Sequence, residues 1–171
     1  IHGCEYVCPV TVVRLAQYGT SSQLQEILHY VFFHVNGDRD CALTNDDRAW
    51  WREWTWGYWN ECGREVIIQT LGERRRWDDI KYLQSCEEQE WEEQYEREYD
   101  HLSDLCLYVA FDETLSTDPG FKGLVQSYFP NPMDEDEYTE RVESVIREIG
   151  RVFHCESTIL NIVRRALLDD A

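Results

Sequence analysis

Apolar residues recur at helical spacing along most of this chain. The clearest case is Leu24, Ile27, Leu28, Val31 and Phe32. Their spacing of i, i+3, i+4, i+7 and i+8 puts all five on one helical face. It predicts a helix over residues 21–35, with Thr20, Ser21 and Ser22 as N-cap residues and Asn36-Gly37 as its stop. Just before it, Val10, Val12, Val13, Leu15 and Ala16 predict a helix from Pro9 to Tyr18. Pro9 suits the first helical turn and Gly19 suits the end.

A third helix is expected from Asn45 or Asp46 towards Leu71, closed by Gly72. Trp51, Trp54, Tyr58, Cys62, Val66 and Thr70 share one of its faces, while Trp50 and Trp56 lie off that stripe. Such a helix is contacted from more than one side. The longest stretch runs from Arg74 or Trp77 through Phe111, along a drifting stripe of Ile80, Leu83, Cys86, Trp91, Tyr95, Leu102, Leu105 and Cys106. Residues Ser116–Gly123 and Tyr128–Asp136 read as surface loops, because Asp118-Pro119-Gly120 and Pro130-Asn131-Pro132 are breakers. A short helix near Leu124–Tyr128 separates them. From Glu135 to Leu168 the pattern is one or two helices with a break at Ser157-Thr158. Val142, Val145, Ile146, Ile149, Val152 and Phe153 form the first stripe, and Ile159, Ile162, Val163, Ala166 and Leu167 the second. With no visible repeat or linker, the expectation is all-α: one disulfide-reinforced helical bundle of five or six helices over residues 1–171.

Composition alters this picture in two ways. Seven Trp, ten Tyr and six Phe predict a bulky core in a chain of 171 residues, long enough to bury one. Sixteen basic against thirty-four acidic residues leave a formal charge of −18. That charge repels nucleic acid and anionic membranes and favours basic partners. No apolar run approaches the roughly 20 residues of a bilayer span. Between Glu87 and Asp104 nine acids face a single arginine, Arg97. Glu87, Glu88, Glu92, Glu93 and Glu96 are therefore the expected docking face for a basic partner, and Trp50 and Trp56 are candidate aromatic anchors.

Seven cysteines, Cys4, Cys8, Cys41, Cys62, Cys86, Cys106 and Cys155, are scattered one per helix or junction. No C-x-x-C pair occurs, which argues against zinc ribbons and thioredoxin-type chemistry. The expectation is disulfide bonding in an oxidising, extracellular setting. The sequence opens Ile1-His2-Gly3, as a mature chain would after loss of a leader. An odd count leaves one thiol over, free or available for an interchain disulfide.

Three chemical patterns remain. Asn36, Asp38, Asp40 and Asp47 fall at ligand positions 1, 3, 5 and 12 of an EF-hand-like loop, so calcium is the one cofactor considered. Cys41 stands where that loop needs its turn glycine, and Asp47 is shorter than the usual glutamate. Glu26/His29 and Glu98/His101 are Glu-x-x-His units of the kind di-iron bundles use, with Glu65 and Glu148 as further carboxylates. His154 beside Cys155 could activate that thiol. None is joined by an oxyanion site or a phosphate loop, and no catalytic residue is assigned. The expected function is a secreted, acidic, non-catalytic binding protein that engages a basic protein or copies of itself. A carrier of a small apolar ligand in a tryptophan-lined pocket is the alternative, and a calcium-binding module the third.

Overall fold

The computed structural model describes residues 9–29, 32, 63–90, 100–129 and 134–169. Every regular element among them is helical. The packing divides into two compact units, Ile1–Gln94 and Tyr95–Ala171.

In the first unit, α1 (Pro9–Tyr18) and α2 (Ser21–His29) form one helical hairpin, and α3 (Arg64–Glu73) and α4 (Trp77–Glu90) a second. The α1 helix ends as its sequence predicts. The Gly19 amide donates to the Leu15 carbonyl at 2.9 Å, and a Cβ at Gly19 would meet that same oxygen at 2.8 Å. Thr20 and Gln23 then form a reciprocal capping box: the Gln23 amide donates to Thr20 Oγ1 at 3.2 Å and the Thr20 amide to Gln23 Oε1 at 3.0 Å. Of the α2 stripe, Leu24, Leu28 and Phe32 are buried and Ile27 is half-buried.

The two hairpins stack in matching order, α1 on α3 and α2 on α4. The end of α1 meets the end of α3. Arg74 lies 5.3 Å from the Tyr18 ring centroid, and Arg76 Nη1 donates to the carbonyls of Leu15 (3.1 Å) and Ala16 (2.8 Å). Two helices whose C-terminal ends coincide while their lengths pack run parallel, as the equivalent helices of stacked repeats do. In α3 the buried residues are Ile67, Ile68, Thr70, Leu71 and Gly72, and Val66 is exposed. Gly72 lies inside the helix, which continues to Glu73, so it packs instead of terminating.

In the second unit, α8 (Ser157–Leu168) is the hub. It packs against α5 (Asp100–Tyr108), a 3-10 helix (Glu113–Thr117), α6 (Pro119–Gln126) and α7 (Glu135–Phe153). Ile162, Val163, Ala166 and Leu167 of α8 and Val142, Val145, Ile146 and Ile149 of α7 are buried, as their periodicity predicts. The turn between them falls at His154–Glu156, three residues before the expected break. His154 adopts a left-handed conformation (φ 55°) that ends α7. Close packing beyond this turn uses Gly150, where a Cβ would approach Leu160 Cδ1 to 2.9 Å.

The expected surface loop Ser116–Gly123 is helical instead, and Leu115, Ser116 and Phe121 are buried. Asp118-Pro119 breaks one helix and starts the next. The Asp118 carboxylate accepts from the Phe121 amide at 3.0 Å, and Pro119 occupies the first turn of α6, where its missing N–H costs nothing. Asp118→Ala is expected to lower stability by about 1 kcal/mol, measured as a shift in the denaturant midpoint with an unchanged slope. An unaltered midpoint would show that Phe121 packing alone sets the start of α6.

Candidate functional site

Acidic side chains in this protein divide into two classes. Asp79, in the first turn of α4, is 1% exposed. Its carboxylate accepts from Arg76 Nε at 2.7 Å, Ser21 Oγ at 2.8 Å and Gln25 Nε2 at 3.4 Å. Because Arg76 also holds the last carbonyls of α1, this cluster joins three of the four described helices of the first unit. Glu87 is fully buried and receives Arg64 Nε at 2.5 Å, tying α4 to α3. It therefore departs from the expected docking face, since its carboxylate is spent inside the fold. Asp104 is buried too, and Glu88 is exposed.

The run Arg74-Arg75-Arg76 is divided among separate tasks. Arg74 covers Tyr18, Arg75 lies 5.9 Å from the Trp77 ring, and Arg76 joins the Asp79 cluster. In the second unit, Arg164 Nε meets Glu143 Oε1 at 2.9 Å, Arg151 pairs with Glu148, and Arg165 lies 3.6 Å from Asp169.

Among the described residues the exposed class is most crowded on α7. Glu135, Asp136 and Glu137 fill its first turn, where the helix dipole favours negative charge, and the Asp134 carboxylate caps it by accepting from the Glu137 amide at 2.8 Å. This face leads into a recess of about 740 Å³ lined by Glu137, Glu140, Arg141, Glu143, Ser144, Val145 and Arg147. Glu143 is already engaged by Arg164, so Glu137 and Glu140 are the exposed carboxylates at this recess. Nothing in the local sequence distinguished these acids from those between Glu87 and Asp104.

Three cysteines expected in bridges, Cys86, Cys106 and Cys155, are free thiols, and no disulfide occurs among the described residues. Burial raises the pKa of Cys86 to about 11 despite an opposing hydrogen bond from the Tyr82 hydroxyl, and the nearby Glu87 carboxylate adds to the rise. Cys86 borders a smaller groove of about 300 Å³ with His29, Tyr82, Ser85 and Gln89. Burial also raises Cys155. His154 therefore does not make it a ready nucleophile, which corrects the activation expected from their adjacency. Burial raises the Cys106 thiol further, helped by negative charge at Cys155 and Asp104.

The described Glu-x-x-His residues and their companion carboxylates are divided between the two units. Glu26 and His29 are exposed on α2 and Glu65 on α3, in the first unit. His101 is on α5, 5.9 Å from the Tyr128 ring, and Glu148 is on α7 with Arg151. Among the described residues no group of three or more His, Cys, Asp or Glu side chains could hold a metal ion. Asn36, Asp38, Asp40 and Asp47, Trp50 and Trp56, Glu92, Glu93, Glu96 and Glu98, and Cys4, Cys8, Cys41 and Cys62 lie outside the described residues. No described helix is long and apolar enough to cross a membrane.

The chain matches no protein-family model, no curated protein and no solved structure.

Proposed function

We propose that this chain is a secreted, non-catalytic binding protein whose acidic surface recruits a basic protein segment. The recess on α7, where Glu137 and Glu140 stand exposed beside Arg141 and Arg147, carries the reading. Glu137 and Glu140 stand exposed beside a concavity large enough for cationic side chains, on a chain of formal charge −18. Such a field accelerates encounter with a basic partner and disfavours acidic competitors. It also repels a second copy of the same chain, which makes a distinct basic partner the better fit than self-assembly. The stacked hairpins of the first unit suit the same role, since paired helices present extended surfaces for recognition.

A labelled arginine- and lysine-rich peptide, titrated by fluorescence anisotropy, tests this. Binding is expected to weaken steeply when salt rises from about 50 to 300 mM, because exposed charges are screened beyond a Debye length. The double variant Glu137→Gln/Glu140→Gln is expected to bind about fivefold more weakly, at the scale of two exposed charge contacts. Equal affinity in the variant would remove α7 from the interface. Equal affinity for an acidic peptide would sink electrostatic recognition altogether.

A further inference from the structure

The outward side of α7 carries more order than its acid content suggests. Glu137, Glu140, Ser144, Arg147 and Arg151 are all exposed, and they follow one another at alternating spacings of three and four residues. That spacing draws a single stripe along the helix, about 21 Å long at about 1.5 Å per residue. The stripe lies opposite Val142, Ile146 and Ile149, which are buried. Charge is segregated along it, with two acids at one end, the serine between, and two arginines at the other. Arg151 is drawn to Glu148. No ion pair among the described residues uses Glu137, Glu140 or Arg147.

We infer that this stripe docks a helix of a basic partner protein, antiparallel to α7, with two basic residues against Glu137 and Glu140 and an acid against Arg147. The inference rests on the recruitment of a basic segment proposed above, and it gives that segment a shape and a direction. A second helix follows the stripe only if its own contacts share the three–four spacing. Read from its amino end, such a helix presents the acid first, a small residue against Ser144, and the basic pair last. Direction follows from the helix dipole, which favours acids near the amino end of a helix and cations near the carboxyl end. α7 obeys this rule, with Glu135, Asp136 and Glu137 in its first turn and Arg151 in its last. A second helix that obeys it therefore meets α7 with opposite charges only when the two run in opposite directions. A second copy of α7 has the same pattern, but it brings a chain of formal charge −18 with it. A basic partner gains from the field that such a copy opposes.

The test sets the full chain against two labelled, alanine-rich helical peptides of identical composition. It is run at about 150 mM salt, where the Debye length is about 8 Å and long-range attraction is screened. One peptide carries the acid and the basic pair in the matching order and spacing. The other carries the same residues spread around the helix. Anisotropy is expected to show about fivefold tighter binding of the matched peptide. Arg147→Glu, with its fold checked by circular dichroism, is expected to weaken that binding about threefold, and changing the peptide's acid to arginine to restore it. Unspecific attraction to acids predicts the opposite, tighter binding of the basic peptide by Arg147→Glu. That result, or equal binding of the two peptides, would overturn the docking geometry and leave recruitment of basic segments standing. Binding of neither helix while the arginine- and lysine-rich peptide still binds has the same meaning, whereas loss of all three removes the recruitment reading as well. A concentration-dependent dimer of the chain alone, seen by sedimentation and lost in Arg147→Glu, assigns the stripe to a second copy and overturns the partner.

Discussion

Asp79→Ala is expected to cost the first unit about 3 kcal/mol, far more than loss of an exposed ion pair, which is worth roughly 0–1 kcal/mol. The carboxylate is buried and accepts from three side chains on two other segments, Ser21 and Gln25 of α2 and Arg76 before α4. Its removal strands the Arg76 guanidinium, 16% exposed, among the carbonyls of Leu15 and Ala16. It also leaves the Ser21 hydroxyl without that acceptor. Asp79→Asn keeps the size and an acceptor oxygen but loses the charge opposite Arg76. It is expected to cost about half as much, because hydrogen bonds to charged groups are worth about twice neutral ones. Denaturant unfolding followed by circular dichroism measures both. If Asp79→Ala falls within about 0.5 kcal/mol of wild type, the cluster is not what joins α1, α2 and α4.

Sequence periodicity locates helices well here and buried polar groups poorly, for a physical reason. The stripes of α2, α7 and α8 are dictated by burial of apolar area, so their residues announce the face that is hidden. The charge of Asp79 or Glu87 announces nothing, because burial of an acid depends on a partner far along the chain. Ser21 is 58 residues from Asp79, and Arg64 is 23 from Glu87. Reading Glu87 and Glu88 as parts of one docking face therefore merged a core ion pair with a surface acid. Asp118-Pro119-Gly120 misled differently. Proline ends a helix on one side and suits the first turn of the next, and only the capping bond to Phe121 decides which role dominates. Scattered cysteines carried compartment information at most, because a bridge needs two β-carbons within a few ångströms and sequence spacing does not supply that distance. The α7 recess was illegible for the same reason as Glu87: the sequence counts acids without saying which of them face a concavity.

Raising the pH from about 9 to 11 is expected to destabilise the fold, with Cys86 as a principal contributor. Its thiol has a folded-state pKa of about 11, above the ordinary value near 9.0, because burial penalises the thiolate. Between those two values the folded state binds the proton and the unfolded state releases it. Stability is then fully present below about pH 9 and is lost as pH rises through 11. For Cys86 this amounts to on the order of 2 kcal/mol, allowing for the open groove beside it. Tyr82 adds to the effect, since burial and its hydrogen bond to Cys86 raise the phenol in the same direction. Cys106 and Cys155 of the second unit, raised likewise, give that unit its own alkaline sensitivity. Thermal melts across this range, compared with Cys86→Ala, separate the contributions. The variant starts less stable at about pH 8, because a buried side chain has been cut back. Its curve is expected to fall less steeply between about pH 9 and 11, so the two approach each other at the alkaline end. Parallel curves would mean that the Cys86 thiol keeps the same proton affinity folded and unfolded, and that the groove beside it admits enough water to solvate the anion.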